Sequence, residues 1–188
     1  NVTGVFLSNE LVDAFPVHKV RLANGQVLEV YIDYKNGSYI EVDGSEAGTR
    51  INNYIEKLQM NLKEEQQIEV NLEVINLLST ISGILNKGFV ITIDYGYLVK
   101  ELQEPFRFLG TLMAYKEHEV TADILCNPGN QDITSHVNFS ALIEYGQEQG
   151  LLKTGYTNQM RFLANLGVLD KAQMESSNDS KRYKDTLA

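Results

Sequence analysis

The spacing of apolar residues changes several times along this chain, and each change marks an element. Gly4-Val5-Phe6-Leu7 is a short apolar run that ends in the polar group Ser8-Asn9-Glu10. That pattern predicts a strand buried on both faces, as in a parallel sheet. Residues 10–15 offer one helical turn before Pro16 interrupts it. Polar and apolar residues then alternate over 17–22, 27–33 and 39–42, with Asn24-Gly25 and Asn36-Gly37 between the runs. Asn-Gly between alternating runs is a strong hairpin signal, so residues 17–43 predict a three-stranded antiparallel meander.

Helical periods follow. Ile51, Tyr54, Ile55, Leu58 and Leu62 fall three and four apart and form one apolar stripe. Over 72–86, Val74, Leu78, Ile81 and Leu85 keep step with Leu77 and Ile84 beside them, which predicts a well-buried helix with Gly88 at its C-cap. Phe89-Val90-Ile91-Thr92-Ile93 is a second apolar strand, and it ends in Asp94-Tyr95-Gly96. Helix, glycine and apolar strand make half of a βαβ unit, so the chain reads as α/β. Residues 98–131 lack a clean period and contain Pro105, Gly110 and Asn127-Pro128-Gly129, which suits loops with one strand near 110–115. Two more helices are predicted over 138–149 and 158–166, stopped by Gly150 and Gly167, before a polar tail over 171–188.

Charge and composition narrow the chemistry. The 188 residues carry 16 lysines and arginines against 25 aspartates and glutamates, a net charge of −9. An acidic chain without a basic block is a poor ligand for nucleic acid. No apolar run reaches the roughly 20 residues that span a bilayer. A single cysteine, Cys126, cannot form an internal disulfide, which points to a reducing compartment and a cytoplasmic protein; a buried thiol is expected there. The chain also begins without Met and enters an apolar run almost at once, which reads as an internal piece of something longer.

Two apolar strands therefore end in carboxylates, Glu10 (with Asp13 just beyond) and Asp94. Ligands of open α/β sheets sit outside the carboxyl ends of the strands, so parallel pairing of these two would bring the acids to one edge. Such acids suit acid–base work or a cationic substrate. The alternative is that they cap the turns that follow. Tyr95, Tyr97 and Tyr115 gather near the same strand end in sequence, as core packing or as a ligand cradle. The histidines His18, His118 and His136 lack metal-ligand spacing, and Asp132 with His136 is a single weak pair, so no metal is expected. No glycine-rich phosphate loop or nucleophile elbow occurs.

The wording of several segments resembles the MidA-like S-adenosylmethionine-dependent methyltransferases, a bacterial and mitochondrial family. These are Ser8-Asn9-Glu10-Leu11-Val12-Asp13-Ala14-Phe15-Pro16-Val17-His18, Glu69-Val70-Asn71, Ile93-Asp94-Tyr95-Gly96, Gly110-Thr111-Leu112 with Tyr115 and His118, Pro128-Gly129 with Gln131-Asp132-Ile133-Thr134-Ser135-His136-Val137-Asn138-Phe139, and Thr157-Asn158-Gln159 with Phe162-Leu163 and Leu166-Gly167. The resemblance implies a partial Rossmann-like methyltransferase sheet, its middle and later strands, with an inserted antiparallel β-meander and helices. It divides the chain into a core strand and turn (1–16), the inserted meander plus helix (17–62), a core helix and strand (63–97), a loop-rich cover segment (98–137), C-terminal helices (138–170) and the tail (171–188).

The activity implied is methyl transfer from S-adenosylmethionine to a protein arginine, on a respiratory complex I-type partner. Catalytic Glu10 and Asp13 would orient the guanidinium, while Asn9, Asp94 and Tyr95 would face the cofactor. Tyr115, His118, Gln131, Asp132 and His136 would contact the protein substrate. Family members are about twice this length, with the cofactor's glycine loop upstream, so weak cofactor binding and self-association through an exposed sheet edge are expected here. No nucleic acid and no membrane are expected as partners. The resemblance places bacterial members in the cytoplasm and mitochondrial members in the matrix. A second reading is a non-catalytic module that binds a protein partner.

Overall fold

A computed structural model describes residues 1–116, 119–168 and 171. It has two compact units, Asn1–Leu152 and Lys153–Ala188. In the first, β1 (Val2–Asn9) is followed by three strands joined by tight turns, β2 (His18–Ala23), β3 (Gln26–Lys35) and β4 (Ser38–Glu46). Asn24 and Asn36 take φ of 51° and 52°, and Gly25 and Gly37 take 76° and 85°, the left-handed pairs that such two-residue turns require. The expected meander is therefore present. It gains a fourth strand, β5 (Gln67–Val70), giving an antiparallel order β4-β3-β2-β5. β5 alternates polar and apolar like its neighbours, but four residues are too few to announce a strand.

Helix α1 (Thr49–Lys57) precedes β5, and α2 (Glu73–Ile84) leads into β6 (Leu85–Ile93). The remaining elements are short: β7 (Gly96–Tyr97), α3 (Val99–Leu102), β8 (Met113–Lys116), β9 (Glu119–Thr121), β10 (Asp132–Thr134) and β11 (Val137–Asn138). Helix α4 (Phe139–Glu148) then starts at Asn138, whose side-chain oxygen accepts the Ala141 N–H at 3.3 Å. The second unit contains α5 (Gln159–Asn165), capped in the same way by Asn158 on the Arg161 N–H at 2.9 Å. Residues 172–188 of the expected tail lie outside the described residues. Among the described residues no helix is long and apolar enough to cross a membrane.

The core lies where the four-stranded sheet meets α1, α2 and α4. Tyr54 of α1 has no solvent exposure and stacks on Tyr145 of α4 at 5.8 Å, with the Lys57 ammonium 4.6 Å above the second ring. Val20, Ile68 and Val70 from the sheet and Val74 and Leu78 from α2 join them. Members from outside the sheet and these helices include Val12, just past β1, and Val137 of β11. Burying these two side chains ties the connecting segments around the strand ends to the core.

β1 and β6 pair in parallel, Asn9 opposite Ile93, as the strand-end argument requires. One expectation fails here. β1 is not buried on both faces, since Val5, Leu7 and Phe89 are exposed on one side of this two-stranded sheet. Gly88 is also not a C-cap. It sits within β6 opposite Gly4, where a Cβ would stand 1.7 Å from the Gly4 carbonyl oxygen. The helix ends earlier because Leu85 already has an extended backbone.

Gly88→Ala should therefore separate β1 from β6 and lower the unfolding free energy by more than about 2 kcal/mol. Gly83→Ala, in α2 with open space around its Cβ position, should instead raise it by about 0.5–1 kcal/mol. Urea denaturation of the two variants checks the opposite signs.

Candidate active site

The parallel pairing of β1 and β6 delivers both strand ends to one edge. The ladder runs one residue beyond β1, because the Glu10 N–H donates to the Ile93 carbonyl at 2.9 Å. Glu10 then takes φ of 50° and turns the chain. Asp94 receives that turn: its Oδ2 accepts the Val12 N–H at 3.0 Å and the Asp13 N–H at 3.4 Å, and its Oδ1 accepts the Tyr95 N–H at 2.9 Å. The Val12 carbonyl accepts from Asn71 Nδ2 at 3.3 Å, and the Asp13 carbonyl from the Ser135 N–H at 3.0 Å. The turn is thus held by a carboxylate, an amide side chain and a neighbouring backbone, with Val12 sealed in the core.

The acids share one field. Tyr95 donates its hydroxyl to Glu10 Oε1 at 2.8 Å, which raises the tyrosine's own pKa, since the bond favours the neutral phenol and the nearby carboxylate opposes the phenolate. Asp13 and Tyr115 add to that shift, which puts both within electrostatic reach. Asp13 is 5% exposed, and its Oδ1 has no hydrogen-bond partner. Burial raises its pKa first, followed by the charges of Asp94 and Glu10. Three carboxylates, one of them drawn out of water, form an electronegative mouth that a cation relieves.

A second group lies behind the first along the chain. Tyr97 packs on the His136 ring at 5.2 Å, and the Arg107 guanidinium lies 3.8 Å over Tyr97 and 4.3 Å over Phe106. Burial, with Arg107 adding to it, lowers the His136 pKa, so the ring is neutral near pH 7. His136 is tethered from both sides to the acidic mouth. Ser135 bonds to Asp13, and the Val137 N–H donates to the Tyr95 carbonyl at 2.8 Å. The His136 N–H itself donates to Thr111 Oγ1 at 3.0 Å.

The structure therefore brings Glu10, Asp13, Asp94 and Tyr95 together, with Tyr115 within reach and His136 one tether away. Asn9 ends β1, exposed beside them. Gln131 donates from Nε2 to the Ile124 carbonyl at 2.6 Å within its own loop, and Asp132 stands exposed on β10 opposite Tyr115. His118 lies outside the described residues. Cys126 corrects an expectation: the thiol is exposed, because the 123–131 loop turns on its own polar groups rather than on the core. Sequence reasoning overlooked Arg107, which has no local signature, and gave Asn71 no role. A capping search would have found Asn71, since its Oδ1 accepts the Val74 N–H at 3.0 Å at the start of α2.

Comparison with known proteins identifies the family and the fold. Protein arginine methyltransferase NDUFAF7, mitochondrial, of Danio rerio is 31% identical over 180 residues, 93% of this chain and 40% of its own length. The NDUFAF7 homolog of Caenorhabditis elegans is 28% identical over 87% of this chain and 37% of its own length. The chain thus spans about two fifths of these curated relatives. Among solved structures, a Burkholderia thailandensis protein bound to S-adenosyl-homocysteine superposes with a TM-score of 0.85 at 31% identity, over 95% of this chain and 46% of that one. A second crystal structure from the same organism gives 0.81 at 32% identity. The α/β elements described above are therefore part of a Rossmann-like methyltransferase fold. A family model covers residues 1–157, and the chain belongs to that family, described as "Putative S-adenosyl-L-methionine-dependent methyltransferase".

Proposed function

We propose that this chain is the substrate-side part of a protein arginine methyltransferase, with the acidic mouth at the ends of β1 and β6 receiving the guanidinium. The observation that carries the reading is the convergence of Glu10, Asp13 and Asp94 on one strand edge, with a buried Asp13 oxygen that has no partner. A guanidinium is planar and offers paired N–H donors, so two carboxylates at one mouth hold it in a fixed orientation. Glu10, steadied by Tyr95, serves as the anchor. Asp13, whose proton affinity is raised by burial and by its acidic neighbours, suits the proton acceptor.

S-adenosylmethionine supplies an electrophilic methyl group on a sulfonium. The work of this chain would be to orient the guanidinium nitrogen toward that methyl and to accept its proton as the methyl passes from sulfur to nitrogen, the thioether leaving. Toward that cofactor the chain offers a rim: Asn9 exposed at the strand end and the Tyr95 ring. Asp94 is less available, since its oxygens already accept three backbone N–H groups. The donor set fits one side of the cofactor. We place the rest in the part of the relatives that this chain does not span, and the compartment in a reducing interior, cytoplasm or matrix. Tyr115 and His136 would line the protein side, with Gln131 and Asp132 on its outer loops and a complex I-type subunit as the partner that family resemblance implies.

A binding module without chemistry is the second reading, and the exposed Tyr31, Tyr34 and Tyr39 of the β3–β4 hairpin favour it. In the full-length protein, Glu10→Ala with Asp13→Ala should lower kcat/KM for methyl transfer at least about 100-fold. Unchanged transfer overturns the catalytic reading. The Asp13 carboxyl binds its proton more tightly folded than unfolded, so its stabilising contribution is present at low pH and is lost as pH rises through its folded pKa. Asp13→Asn should accordingly be at least as stable as the parent at pH 7 by thermal melting, while losing activity.

Isothermal titration of this 188-residue chain with S-adenosylmethionine should give a dissociation constant no tighter than about 0.1 mM; a value of about 1 µM removes the one-sided reading of the cofactor site. We also propose that β1, unpaired on its outer edge among the described residues and carrying exposed Val5 and Leu7, pairs with a second copy of this chain. Light scattering at high concentration should show a dimer or larger species, and a clean monomer rejects the pairing.

A further inference from the structure

Two side chains at the end of β5 carry bonds that neither substrate nor cofactor explains. Glu69 and Asn71 are two residues apart, so in an extended segment they project from the same face, while Val70 between them points into the core with no exposure. Glu69 accepts three hydrogen bonds from one short segment: the Thr111 N–H at 2.9 Å, the Thr111 hydroxyl at 2.9 Å and the Leu112 N–H at 3.3 Å. Burial raises the Glu69 pKa, and the three donors, which favour the ionised carboxylate, counter only part of that rise.

The fit is close. Gly110 has φ of +86°, and a Cβ there would stand 2.1 Å from Glu69 Oε1, so both the backbone conformation and the room for the carboxylate require glycine. The approach begins earlier, where the Gln67 N–H donates to the Phe108 carbonyl at 2.9 Å and runs the 108–112 segment along β5. The Thr111 hydroxyl then serves twice. It donates to Glu69 and accepts the His136 N–H at 3.0 Å. Asn71 works on the opposite wall, donating from Nδ2 to the Val12 carbonyl while its Oδ1 caps the first turn of α2.

We propose that Glu69 and Asn71 are positioning residues that hold the two walls of the mouth from one strand end: Glu69 fixes the 110–112 segment and, through the Thr111 hydroxyl, the backbone of His136, and Asn71 fixes the 10–13 turn. The kinetic consequence rests on the methyltransferase reading above; the structural one does not. A general stabilising network would transmit the loss of either side chain to the whole sheet. Two separate braces would each release their own wall.

Hydrogen exchange on the full-length protein separates these cases. Glu69→Leu should speed exchange at residues 110–112 and at His136 by about tenfold, the equivalent of one lost charge-assisted hydrogen bond, and leave 10–13 unchanged. Glu69→Gln, which retains an acceptor, should restore part of the protection. Asn71→Ala should do the reverse, loosening 10–13 and sparing 110–112. Should Glu69→Leu fail to fold, Thr111→Val must still speed exchange at His136.

Faster exchange spread evenly through α1, β2 and β3, or no local change, overturns the proposal. In methyl-transfer kinetics, Glu69→Leu should raise KM for the protein substrate about tenfold with kcat nearly constant, and Asn71→Ala should lower kcat about tenfold with KM nearly constant. Local exchange changes without that split would remove these residues from the function of the site. If the parent protein transfers no methyl group, the methyltransferase reading fails, and the exchange pattern still decides the two braces.

Discussion

Asp94 accepts the backbone N–H groups of Val12 and Asp13, and the geometry of the strand-end edge depends on that contact. A chain leaving β1 has backbone donors that must find acceptors once it is packed against the protein. Supplying the acceptor from the end of the neighbouring strand makes the turn a consequence of the β1–β6 register. Val12 then points into the core, Asp13 is drawn beneath the surface, and Glu10 remains outside within reach of Tyr95. Moving the pairing by one residue would turn Glu10 and Asp94 to the wrong faces.

The same contact makes the edge electrostatically tense. Asp94 is a charge that the turn needs, and it stands close enough to Asp13 to raise that carboxyl's pKa. Glu10 adds a third acid. Among the described residues no ion pair joins these carboxylates to a lysine or arginine, whereas Lys19, Arg21 and Lys57 all pair with acids elsewhere. Unneutralised acids kept together against their mutual repulsion are a common feature of sites that bind a cation. The guanidinium of Arg107 is directed at the Tyr97 and Phe106 rings and at the Glu101 carbonyl.

Several of these features were legible beforehand. Asn24-Gly25 and Asn36-Gly37 announced their turns because few other dipeptides accept left-handed φ twice in succession. Glu10 and Asp94 stood out because each ends an apolar run. Other features were hidden for physical reasons. β5 is four residues long, and its partner β2 is more than forty residues away, so no local window contains the pairing that makes it a strand. Gly88 looks like a helix stop until Gly4 is seen against it. Cys126 was expected inside because free thiols usually are, but its loop is held by polar contacts of its own.

The sequence by itself determined the α/β class, the meander, the helices and the two acidic strand ends, since all of these follow from periodicity and from residues with special backbone preferences. Its ordered motifs also carried the family. What only the tertiary structure decided was which groups meet: that Asp94 accepts the backbone N–H groups of the turn, that Asp13 is buried, that Glu69 grips Thr111, and that His136 rests on Tyr97. These contacts join residues separated by 39 to 82 positions. Hydrogen bonds and burial act through space and leave no period along the chain, so they become visible only when the strands that carry them are set side by side.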